Sequence, residues 1–113
     1  MIRVLVKKSS ETRIVHITVE GHAYYDKSGR DIVCSAVSAI TIGIINSVES
    51  LLGVNLIPNE NYHKGGNLAF DVPLIDDEFT DDRLQLLMNV MVESLLMIEK
   101  EYKKYIRIII ETS

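Results

Sequence analysis

Asp31-Ile32-Val33-Cys34-Ser35-Ala36-Val37-Ser38-Ala39-Ile40-Thr41-Ile42-Gly43-Ile44-Ile45-Asn46-Ser47-Val48-Glu49-Ser50-Leu51-Leu52-Gly53 is the stretch that decides the fold. Asp31 belongs to the residue types that cap a helix with a side-chain oxygen, and Gly53 to those that end one. The pattern between them predicts a helix over Ile32–Leu52. No residue from Ile32 to Val48 carries a formal charge. The run is just short of a membrane span, and it contains Ser35, Ser38, Thr41, Asn46 and Ser47. It reads as a helix buried on most sides, within the domain or a dimer of it, and not as a transmembrane segment.

Working outward toward the N-terminus, Ile2–Lys8 and Arg13–Glu20 read as strands. Val4 and Val6 share one face of the first; Val15, Ile17 and Val19 share one face of the second. Ser9, Ser10 and Glu11 connect them, which makes a hairpin the simplest assignment. The segment 21–30, with Gly21 and Gly29, is a loop leading into the helix. On the C-terminal side, Val54–Ile57 and Leu68–Val72 are further strand candidates. Pro58, Asn59, Asn61, Gly65, Gly66 and Asn67 punctuate the stretch between them. Thr80 or Asp81 is expected to cap a second helix reaching about Lys104, with Leu84, Leu87, Met88, Met91, Leu95 and Ile98 at helical spacing. Tyr105–Glu111 closes the chain as a strand. The expected order is ββαββαβ, an α/β (α+β) fold in which one domain, residues 1–113, packs two long helices on a β-sheet.

The 113 residues are 47% hydrophobic and 25% charged, an ordinary globular balance. Twelve Lys and Arg against 16 Asp and Glu give a net charge of −4, which argues against a broad nucleic-acid-binding surface. One cysteine permits no intramolecular disulfide, and Met1–Arg3 starts no signal-peptide pattern, so a cytoplasmic location is expected. There is no glycine-rich phosphate loop, and no CxxC or HExxH motif. His16, His22, His63 and Cys34 lack ligand spacing, so neither a metal nor a cofactor is expected. Asp76, Asp77, Glu78, Asp81 and Asp82 surround the start of the second helix, where capping and the helix dipole explain them.

A lone cysteine is most often a small buried hydrophobe. Cys34, however, lies three residues after Asp31, in the first helical turn. Unpaired N–H groups and the positive end of the macrodipole favour a thiolate there, the nucleophilic form. His22, at the end of a strand, can approach a helix start when the loop between folds back, giving a cysteine–histidine pair. Gly21 and Gly29 let that loop bend. Ser38 lies four residues after Cys34 on the same helix face, placed either to support the site or to bond its own helix carbonyl. Asp31 could orient His22, though capping alone accounts for it. Tyr24 and Tyr25 line a substrate groove or sit exposed. Met88, Met91 and Met97 read as packing residues.

Gly21-His22-Ala23, the loop with Gly29, then Asp31-Ile32-Val33-Cys34-Ser35-Ala36 and Ser38 resemble the ribosomal-processing cysteine protease family, Prp, over the whole chain. Tyr24 stands where many members carry glycine, and Ser35 where alanine is usual. The resemblance implies an endopeptidase that removes the N-terminal extension of large-subunit ribosomal protein number twenty-seven. It further implies Cys34 as nucleophile, His22 as its base, a homodimer, and a loop with Gly21, Ala23, Tyr24, Tyr25 and Gly29 that orders on the substrate. The rival readings are a non-enzymatic ribosome-assembly or protein-binding module with an inert buried cysteine, and another thiol enzyme such as an acyl transferase.

Overall fold

The computed structural model describes residues 1–27, 31–56 and 67–113. Within them the chain forms β1 (Ile2–Ser10), β2 (Arg13–Glu20), α1 (Ile32–Leu52), β3 (Leu68–Asp71), α2 (Glu78–Glu101) and β4 (Ile106–Thr112). The strands make one mixed sheet in the order β3-β2-β1-β4, with β4 parallel to β1 and the other pairs antiparallel. Strict alternation places Ile2, Val4 and Val6 of β1 in the core while Arg3 and Lys7 face solvent. Those inward residues share a single cluster with Ile17 of β2, Val33 and Val48 of α1, and Leu84 and Met88 of α2. The two helices pack on each other and, through this cluster, on the sheet.

β2 departs from simple alternation. Its pairing with β1 slips between Lys7↔His16 and Lys8↔Ile14, leaving Val15 as an extra residue. Ile14 and Ile17 are therefore fully buried, and Val15, expected on the core face, is only partly so. Ile14 lies beyond the last pair with β3. Its N–H donates to Gln85 Oε1 and its carbonyl accepts from Gln85 Nε2, both at 2.8 Å, so an α2 side chain completes the hydrogen bonding of the irregular strand.

The expected fold class holds, with shifted boundaries. β1 reaches Ser10, and the hairpin turns at Glu11-Thr12. Asp77, not Thr80 or Asp81, caps α2 by accepting from the Thr80 N–H, which leaves Asp81 free for another partner. The helix stops at Glu101, three residues before the expected end. Of Val54–Ile57, expected to be a strand, Val54–Leu56 pairs with no strand among the described residues; Leu56 is instead inserted into the core, and Ile57 lies outside the described residues. The order over described residues is ββαβαβ. By length and composition α1 could cross a membrane. In the fold it buries one stripe, Val33, Val37, Thr41, Ile45 and Val48, and leaves Ile32, Ile42 and Leu51 exposed, so within the single domain it is not buried on most sides.

Asp81 joins the hairpin to α2. Arg13 Nη1 and Nη2 donate to its two oxygens at 2.8 and 2.9 Å, and the Ile75 N–H adds a third bond at 3.0 Å. The Arg13 hydrogen bonds, with the Ile75 N–H, pull the Asp81 carboxyl down to about 2. A depressed carboxyl stabilises the fold above its unfolded value near about 3.9, and that stability is lost as pH falls toward the folded value. Asp81→Asn is expected to cost roughly 2 kcal/mol at neutral pH, because it leaves a half-buried guanidinium without its charge partner. Urea melts from neutral pH downward should show the gap between wild type and variant closing below pH about 4.

Candidate active site

β2 ends at Glu20, and the next residue turns the chain toward α1. Gly21 has φ of +88°, and a Cβ there would lie 2.5 Å from the Met1 carbonyl oxygen, so only glycine fits. Its N–H donates to Asn67 Oδ1 at 3.0 Å, tying the turn to the start of β3. His22 follows with an exposed side chain, and Ala23 is buried. Tyr24 has φ of +55°, in the left-handed region, and its ring lies 5.7 Å from that of His22. Tyr25 is fixed twice. Its ring meets Tyr102 and Tyr105 edge-on, at 5.7 and 5.0 Å, and its N–H donates to Asp31 Oδ2 at 3.1 Å.

Asp31 is the N-cap of α1. Its Oδ1 accepts from the N–H groups of Val33 and Cys34 at 3.1 and 3.0 Å. Burial alone would raise this carboxyl, but the N–H groups of Cys34, Tyr25 and Val33 hold it below its ordinary range. Asp31 thus grips both the helix and the returning loop.

Cys34 is half-buried and unpaired as a disulfide. The Ala23 N–H donates to its Sγ at 3.4 Å, which brings the residue next to His22 onto the sulfur. The thiol opens on a cleft of about 110 Å3 lined by Gly21, Val37, Ser38, Ile42, Asn67 and Leu68 among others. The hydroxyl of Ser38 has no hydrogen-bond partner among the described residues, so the helix-carbonyl bond considered for it does not form.

The expectation of a thiolate favoured by the helix start does not hold. Burial pushes the Cys34 thiol up, and the Asp31 carboxylate adds to this by hydrogen bonding to the thiol and repelling a negative sulfur. The Ala23 N–H opposes them without prevailing. The helix N-terminus itself is largely consumed: Val33 and Cys34 donate to the Asp31 side chain and Ser35 to its carbonyl. Nor do His22 and Cys34 share a hydrogen bond among the described residues. Gly29 and His63 lie outside them. Sequence reasoning missed Asn67, which both braces Gly21 and lines the cleft, and the Tyr102/Tyr105 pair that anchors Tyr25. The three-residue spacing of those tyrosines across the α2–β4 corner was their only signal.

Iodoacetamide alkylation of the free protein, followed by mass across a pH series, should show a midpoint above that of an ordinary cysteine. Asp31→Asn keeps a capping oxygen and removes the charge, so its midpoint should move down. An unchanged or higher midpoint would exclude Asp31 as a source of the shift.

Residues 1–107 match the family model described as cysteine protease Prp. The chain is 32% identical to the ribosomal processing cysteine protease Prp of Bacillus subtilis over 108 residues, 96% of each chain. It is 32% identical to the protein of that name from Staphylococcus aureus, over 96% of this chain and 97% of the relative. The crystal structure of the S. aureus protease with a covalently linked product peptide superimposes with a TM-score of 0.81, at 32% identity, over 98% of this chain and all of the other. The same protease with a substrate peptide gives a TM-score of 0.77 at 29% identity, with the same coverage. With the half-buried thiol set in a cleft at the start of α1, these matches establish that the chain belongs to the cysteine protease Prp family and is a peptide hydrolase.

Proposed function

We propose that this protease removes the N-terminal extension of the precursor of large-subunit ribosomal protein number twenty-seven in the cytoplasm, with Cys34 as nucleophile and His22 as general base and acid. The observation that carries the assignment of roles is the 3.4 Å contact of the Ala23 N–H with Cys34 Sγ, which sets the backbone of His22 beside the sulfur. The peptide substrate and covalently linked product held by the S. aureus relative support it, as does the family resemblance, which also implies a homodimer.

In the resting site the sulfur keeps its proton, so activation is coupled to the substrate. A peptide entering the cleft brings its scissile carbonyl to Sγ, and His22 turns inward to accept the thiol proton. Sγ bonds to the carbonyl carbon, giving a tetrahedral oxyanion. His22 returns the proton to the departing nitrogen as the C–N bond breaks, leaving a thioester on Cys34. Water, deprotonated by His22, then hydrolyses the thioester and restores the thiol. The chemistry calls for these two side chains and water.

The oxyanion needs a donor, and the N–H groups of Val33, Cys34 and Ser35 are already engaged. Ser38, in the same cleft as Cys34 and with its hydroxyl unbonded among the described residues, is placed to supply one. Asp31 acts as the residue that holds Cys34 and Tyr25 in place.

The test is incubation with the extended ribosomal protein and mass analysis of the fragments. Cys34→Ala and His22→Ala should each abolish cleavage; wild-type-like cleavage by either removes that residue from its role. Ser38→Ala should lower kcat about 100-fold with little change in KM, the signature of a lost oxyanion donor. A rise in KM at unchanged kcat would instead make Ser38 a binding residue. Gly21→Ala should lower both activity and stability, because its Cβ would collide with the Met1 carbonyl; circular dichroism and the cleavage assay together read the two effects.

A further inference from the structure

Helix α2 turns two unlike faces in opposite directions. Asp81, Leu84, Met88, Met91, Val92 and Leu95 are buried in the domain. On the far side, spaced alternately four and three residues apart, lie Phe79, Arg83, Leu86, Val90, Glu93 and Met97. The four apolar members are exposed by 63, 62, 44 and 71% respectively, an apolar cost that a lone domain has no reason to carry in register along one helix. Four-three spacing is the pattern of a helix that packs along another helix.

The stripe is complementary to itself read backwards. Its members pair off about Met88: Phe79 with Met97, Arg83 with Glu93, Leu86 with Val90. We infer that α2 pairs antiparallel with α2 of a second copy of this chain across a twofold axis level with Met88. Phe79 then meets the partner's Met97, Leu86 meets the partner's Val90, and Arg83 meets the partner's Glu93. The axis repeats every contact, so the seam, about 27 Å long on each helix, holds two ion pairs flanking an aliphatic centre and closed at both ends by aromatic–thioether contacts. Arg83 is already ordered for this role, its guanidinium lying 3.8 Å over the Phe79 ring. A parallel arrangement would set Arg83 against Arg83 and Glu93 against Glu93, so charge selects the antiparallel one. The outward face of α1 is less suited: it offers no charge pair to fix a register, and its Ser38 and Ile42 line the Cys34 cleft.

The inference rests on the homodimer of the preceding section and locates its interface. Sedimentation velocity on the full chain at micromolar concentrations reads it. Arg83→Glu and Glu93→Arg each create two like-charge contacts and should weaken the dimer about tenfold, while the double swap restores opposite charges and should return it to within about threefold of wild type. Leu86→Asp should give monomer. Thermal melts control for folding, and rescue in the double swap does so independently. A dimer whose dissociation constant is unmoved by both single swaps overturns the α2 seam while leaving the homodimer in place. A wild-type chain that stays monomeric overturns both. The cleavage assay tests the protease roles separately, since no seam residue lines the cleft.

Discussion

Asp31 accepts N–H bonds from Val33 and Cys34 on one carboxylate oxygen and from Tyr25 on the other, and the site depends on that arrangement. The first two bonds start α1 at Ile32 and so fix where Cys34 falls on the helix. The third closes the loop that carries His22 back onto the same helix. A neutral capping residue could make similar bonds to the helix, but the buried charge makes each of them stronger and ties the loop to the helix as one unit. The carboxyl is held below its usual range, so the clamp keeps its charge at neutral pH. The end of β2, the loop and the helix start are three separate pieces of chain, and one side chain is common to the last two. Gly21, bonded to Asn67, supplies the link to the first.

This clamp has an electrostatic consequence. A negative group beside a half-buried sulfur opposes ionisation of the thiol, and here it acts with burial to hold the proton on Cys34. Enzymes that keep a standing thiolate place a cation or open helix-end donors beside it. In this chain the helix-end donors serve the cap. A resting thiol is less exposed to oxidation and to adventitious electrophiles, because susceptibility follows thiolate character. The site therefore stores little reactivity in the free protein, and in the proposed mechanism proton transfer to His22 is part of the response to a bound peptide. In that proposal the position of His22 is the variable that matters, and its side chain is exposed in the free site.

Much of this was legible in the sequence where the signal is local. The ends of α1 follow from Asp31 and Gly53, whose roles as cap and left-handed stop need only neighbouring backbone. The inward face of β1 follows from alternation. The failures share a cause: each was decided by a contact distant in sequence. Val15 left the core face because β2 bulges, and the bulge is stabilised by Gln85, 70 residues on. The α2 cap moved to Asp77 because Asp81 is taken by Arg13. Val54–Leu56 has strand-like composition, but it pairs with no strand among the described residues, and Leu56 packs inward instead. In the site, residue types and order were readable, while the direction of the Cys34 shift was not, since it depends on burial and on where a carboxylate points.

Tyr24 shows how the frame and the loop divide the energetic burden. A tyrosine in the left-handed region, φ +55° at Tyr24, costs roughly 1–2 kcal/mol relative to a residue at ease there. The conformation persists because its neighbours leave no alternative: Ala23 is buried with its N–H on Cys34, and Tyr25 is pinned by Asp31 and by two tyrosines from the α2–β4 corner. Those anchors draw on the rigid body of the fold, where the core cluster and the Arg13–Asp81 bridge make α2 a fixed support. Glycine at 24 would relax the strain but also widen the range of shapes open to the backbone between His22 and Tyr25. A tyrosine there narrows that range and places a ring beside His22. The strain is thus offset by a narrower range of shapes around Tyr24, and His22, the base of the proposed mechanism, starts from a defined place.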